Sequence, residues 1–128
     1  MYIPAFALKQ REIEILNHQL GRVVEIKTLS CPIKAFLVED KVFNEIAYFV
    51  EGYRESNQLN EDAQPSSRAT VLRAVTLVFN LLLEANKIKD PDQRTVALAG
   101  ISASIIGIMN IAPDYGTRLI SIIKSKLW

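Results

Sequence analysis

The chain has 128 residues, 49% of them apolar and 23% charged, with a formal net charge of +1. That length suits one domain able to bury a core without metal or disulfides, and the composition excludes disordered, fibrous and disulfide-scaffold classes. Cys31 is the only cysteine and His18 the only histidine, which excludes an internal disulfide and any multi-thiolate or multi-histidine metal site.

The charge is unevenly spread. Residues 1–64 carry seven Lys or Arg against ten Asp or Glu, and residues 65–128 carry eight against four. Halves of net −3 and +4 allow either a basic surface for an anionic partner or self-association of complementary faces, although charges scattered over a whole surface do neither.

At the N-terminus, "MYIPAFALKQREIEIL" lacks the basic stretch and long apolar run of a secretory signal. Phe6, Ile13, Leu16 and Leu20 recur near helical spacing and predict a helix over residues 6–20, with Gly21 as its cap. "REIEIL" within it also alternates as a half-buried strand would. "RVVEIKTL" and "IKAFLVE" are short, β-branched and aromatic, and flank Ser30, Cys31 and Pro32, the pattern of a small β-hairpin near residues 22–38. If that segment is not β, the chain is entirely α.

From Asp40, the residues Val42, Phe43, Ile46, Phe49, Val50 and Tyr53 mark one face of an amphipathic helix, with Lys41, Asn44, Glu45 and Glu51 on the other. "ESNQLNEDAQPSS" reads as an exposed loop. Ser66 and Ser67 offer caps to a helix over residues 67–86, on which Arg73, Thr76, Asn80 and Glu84 form a single wet edge. Asp90, Pro91 and Asp92 start another helix near 91, which Pro113 and Asp114 close before a last amphipathic helix over about 114–127.

"TVALAGISASIIGIMNIAP", Thr95 to Pro113, contains no charged side chain. As a helix its 18 residues to Ala112 would rise about 27 Å, close to a bilayer core. Its seven Val, Leu and Ile residues are diluted by Thr, Ser, Asn and two glycines, so the hydropathy is marginal for a span. Arg73 and Glu84 leave only ten uncharged residues between them in the preceding helix, too few for a partner span. The expectation is a central buried helix, with membrane insertion as the rival. Ala97, Gly100, Ser104 and Gly107 fall near one face and predict close helix packing, against this chain or a partner subunit.

Motifs for chemistry are scarce. Cys31 with His18 is the only conventional nucleophile pair, and nothing in the spacing requires them to meet. Glu39, Asp40, Glu45, Glu51, Glu55, Glu61 and Asp62 lack the pattern of a calcium loop and read as a solvated acidic face. The five glycines form no phosphate-binding motif. No catalytic residue, metal ligand or cofactor site is assigned.

The sequence thus predicts a mainly α single domain: an N-terminal helix and β element over 1–38, then a helical bundle over 39–128. Function is expected to be that of a non-enzymatic protein–protein interaction module, an adaptor or regulatory subunit in the cytoplasm, in a homodimer or larger complex. Its candidate contact residues are Phe43, Tyr48, Phe49 and Tyr53, or the basic end at Arg118, Lys124, Lys126 and Trp128. Two alternatives stand beside it: a membrane-associated protein anchored by residues 95–112, and a nucleic-acid binder using the basic C-terminal half, disfavoured because the helix after "DPDQR" is too apolar to read DNA.

Overall fold

The computed structural model describes residues 1–20, 24–26, 33–57 and 68–124. The elements run β1 (Tyr2–Pro4), a 3-10 turn (Ala5–Ala7), α1 (Gln10–Leu20), β2 (Val24–Ile26), β3 (Ile33–Leu37), α2 (Asp40–Asn57), α3 (Arg68–Asn86), α4 (Pro91–Ile111) and α5 (Pro113–Ile122). The fold is mainly α, as the periodicity predicts, and the hairpin near 22–38 is present: β2 and β3 pair antiparallel with Val24 opposite Ala35 and Glu25 opposite Lys34.

The N-terminus departs from the expected helix over 6–20. Pro4 is extended (φ −66°, ψ 132°) and so is Leu8 (φ −114°, ψ 148°), and the helix starts only at Gln10. Residues 2–4 instead form a third strand along the free side of β3, with Ile3 opposite Phe36, giving the antiparallel order β1-β3-β2. Val38 donates its amide to Met1 O at 2.9 Å, and the Met1 ammonium donates to Val38 O at 2.9 Å, extending the ladder by one more pair.

The centre of the core is α3, not α4. Leu72, Val75, Phe79 and Leu82 recur at helical spacing and are almost fully buried, each such side chain being worth about 1.5–3 kcal/mol. They meet Ile3 and Phe36 of the sheet, Leu16 of α1, Val50 of α2 and Leu119 of α5 in one cluster. Half of the apolar 18-residue window of α3 is buried against 17% of that of α4. The sequence misleads here because small uncharged residues make the whole circumference of α4 look apolar. The row Leu98, Ile101, Ile105 and Ile108 is buried in the core, and only Ala97 and Met109 of α4 pack partly against it.

The wet edge expected on α3 is also redistributed. Arg73 and Glu84 are exposed, but Thr76 is fully buried and Asn80 half-buried, while Leu77 and Leu81 take their place in solvent. Asn80 turns inward to serve β1. Its Oδ1 accepts from Tyr2 N at 2.9 Å and its Nδ2 donates to Tyr2 O at 2.8 Å, a side-chain copy of a ladder pair.

The signal for α4 is met in detail: Asp90 caps it by accepting from Asp92 N at 2.9 Å, with Pro91 in the first turn. Ala112 breaks the helix (φ −143°, ψ 80°), and Pro113 restarts the chain as α5. This corner is tight. A Cβ at buried Gly116 would collide with the Met109 side chain and come within 3.0 Å of the Met109 backbone, so glycine is required there. The expected final helix over 114–127 is described as far as Lys124, and residues 125–128 lie outside the described residues.

Candidate functional site

Two arrangements stand out, one on the outside of α4 and one inside the N-terminal joint. Because α4 docks mainly through Leu98, Ile101, Ile105 and Ile108, its opposite side faces solvent along its length. Thr95, Val96, Ala99, Gly100, Ser102, Ala103, Ser104, Ile106, Gly107, Asn110 and Ile111 are exposed, Val96 at 72%, Ile106 at 59% and Ile111 at 52%. No charge interrupts this surface. Two of its hydroxyls are turned back onto the helix, Thr95 Oγ1 donating to Pro91 O at 2.9 Å and Ser102 Oγ to Leu98 O at 3.0 Å, which leaves them less able to bind water. Leu77 and Leu81 of α3 are further exposed aliphatics.

The small residues lie largely on this outer side, contrary to an internal packing role. Gly100, Ser104 and Gly107 are exposed, Ala97 is half-buried, and a Cβ built at Gly100 or Gly107 meets nothing within 4 Å. Glycine inside a helix costs about 1 kcal/mol relative to alanine, and nothing among the described residues requires it at either position. The close approach that those residues permit is therefore open to a second body.

The joint is built from Glu12 and Arg68. Glu12 sits in the first turn of α1, where its Oε1 accepts from Lys9 N at 2.8 Å, as an acid at the third helical position does in a capping box. Arg68, the first residue of α3, donates to the same Oε1 at 2.7 Å, to Ala7 O at 2.9 Å and, through its other terminal nitrogen, to Tyr115 OH at 2.7 Å. The Glu12 side chain is 2% exposed and that of Arg68 13%. Burial by itself works against the guanidinium's charge. The hydrogen bond and attraction of Glu12, then those of Tyr115, outweigh it and hold the Arg68 pKa above the ordinary arginine value. Glu12 Oε2, Arg68 Nε and, two turns further along α3, Thr76 Oγ1 have no hydrogen-bond partner among the described residues. Sequence reasoning missed this pair, which joins residues 56 apart; the one available signal is an acid at the third position of a helix, three residues after its cap.

Of the expected contact residues, Phe43 belongs to the core at 7% exposure, because the apolar face of α2 turns inward, whereas Tyr48 is 80% exposed. The side chains of Phe49 and Tyr53 lie outside the described residues, as do Lys126 and Trp128. Arg118 is exposed but anchored: its Nη1 donates to Phe6 O at 2.8 Å, and the guanidinium carbon lies 5.9 Å from the centre of the Phe6 ring. Lys124 is exposed. His18 lies on α1, and Cys31 is outside the described residues. Among the described residues no three His, Cys, Asp or Glu side chains converge as metal ligands. Compared with protein-family models, curated proteins and solved structures, the chain matches none.

Proposed function

We propose that this protein is a non-enzymatic interaction module, an adaptor or regulatory subunit in the cytoplasm, and that its contact surface is the outer side of α4. The observation that carries this reading is the uncharged exposed strip from Thr95 to Ile111, with Val96, Ile106 and Ile111 projecting and open space at Gly100 and Gly107. Exposed apolar side chains with no charge among them favour association, and glycines let a second helix come close. A homodimer through two copies of α4 and a complex with a different protein both use this surface.

Membrane association is the second reading, because α3 and α4 are both long and apolar enough to cross a bilayer. Arg73 and Glu84 do not exclude α3 as a partner span once it is taken over the whole of Arg68–Asn86. Against this reading stands the Glu12–Arg68 pair, which ties the start of α3 into a folded joint.

The test is to express the protein without detergent, separate soluble from membrane fractions, and determine the soluble mass by light scattering, alone and with co-purifying protein. The outer-face variants Gly100→Leu and Gly107→Leu are compared with wild type. The proposal expects a soluble wild-type assembly that both variants dissolve while their own folding remains intact. A soluble monomer with no partner overturns it, and carbonate-resistant pelleting transfers the case to the membrane reading.

A further inference from the structure

Two depressions flank Phe6 and share Arg118 as a wall. One, of about 240 Å³, lies toward Pro113, Asp114 and Tyr115; the other, of about 370 Å³, lies between β3 and α5. The larger is lined by the apolar Phe6, Ile33 and Ile122 and carries Lys34, Arg118 and Ser121, with no carboxylate among the described residues of its lining. Its size is at the lower end of that of small-molecule sites. Arg118 is already held in place by the Phe6 carbonyl and ring, so it offers its remaining donors without first being ordered.

Two cations over an apolar floor match an anion that carries an apolar body. A bare phosphate would leave the floor wet, and a neutral hydrocarbon would leave the cations unused. Lys34 is exposed on β3, so the anchored Arg118 carries the larger share of the attraction and Lys34 adds to it. We propose that this groove binds a small amphipathic carboxylate, its head group between Lys34 and Arg118 and its chain on Phe6, Ile33 and Ile122. The site is separate from the outer side of α4 and does not depend on the function assigned there.

The test titrates the full chain with decanoate and with decanol, each below its aggregation limit, and follows amide shifts. Saturable shifts at Phe6, Ile33, Lys34 and Ile122 are expected, with decanoate binding at least about tenfold more tightly than decanol, as a charge-assisted hydrogen bond implies. Lys34→Gln should weaken decanoate about two- to fivefold, the range for a single exposed charge. Lys34→Glu should weaken it further, and neither variant should change the binding of decanol. Neither substitution touches the Phe6–Arg118 clamp, so both separate charge recognition from loss of shape. Equal binding of decanol by wild type, shifts confined to the outer side of α4, or indifference of decanoate to both substitutions would overturn the proposal.

Discussion

Arg68 and Glu12 meet at 2.7 Å inside the protein, so that the first residue of α3 closes the first turn of α1. The guanidinium also binds Ala7 O and Tyr115 OH, and one side chain thereby holds the N-terminal turn, α1 and α5 together. Breaking a buried pair from one side leaves an uncompensated charge, which costs about 3–5 kcal/mol. Arg68→Met should lower stability by that order in urea unfolding. The double variant Glu12→Leu with Arg68→Met should cost clearly less than the two single changes added together, since it removes both charges.

The pH response of this joint follows from the direction of the Arg68 shift. A group whose pKa is raised by folding contributes stability that is complete below its unfolded value and is lost as pH rises through the folded one. For Arg68 that window lies in strong alkali. Titrating the unfolding midpoint between pH 6 and pH 9 should therefore show no difference in slope between wild type and Arg68→Met that is assignable to the guanidinium.

Asn80 supplies β1 with the two hydrogen bonds that another strand would otherwise give to Tyr2. Asn80→Ala leaves the half-buried Tyr2 backbone groups unpaired, at about 1–3 kcal/mol. Hydrogen exchange at the Tyr2 amide should rise sharply in this variant, while amides in the middle of α3 change only with global stability.

The glycines inside α4 and the glycine in the first turn of α5 should respond in opposite directions. Gly100→Ala and Gly107→Ala meet open space and should each stabilise the isolated chain by up to about 1 kcal/mol. Gly116→Ala drives a methyl group toward the Met109 backbone and should lower the melting temperature. Thermal unfolding of the three variants side by side checks both signs.

Much of the architecture is legible in the sequence itself. Asp90, Pro91 and Asp92 announce the start of α4 because caps act within one turn, and Phe43, Ile46 and Val50 reveal the inward side of α2 because it is truly amphipathic. What stays hidden depends on distant partners. Tyr2–Pro4 is too short to show a period and becomes a strand only because β3 lies beside it. Glu12 looks like a surface acid until Arg68 arrives from 56 residues away. On α4, helical spacing separates Leu98, Ile101 and Ile105 from Gly100, Ser104 and Gly107, but both sets are uncharged, so spacing cannot say which one meets the core. The exposed α4 strip is consequently a feature that the sequence presents upside down, as a buried helix.

Arg118 clasps Phe6 across 112 residues of chain. At a synthesis rate of roughly 5–20 residues per second, that contact becomes available only about 6–22 s after Phe6 is made. The α3–α4 hairpin needs just a short connection and can close early, since short loops cost little entropy. Ile3 can meet β3 as soon as residue 37 is made, whereas Phe6 waits first for Phe79 and last for Arg118, which makes its ring a handle for chaperones while synthesis is incomplete.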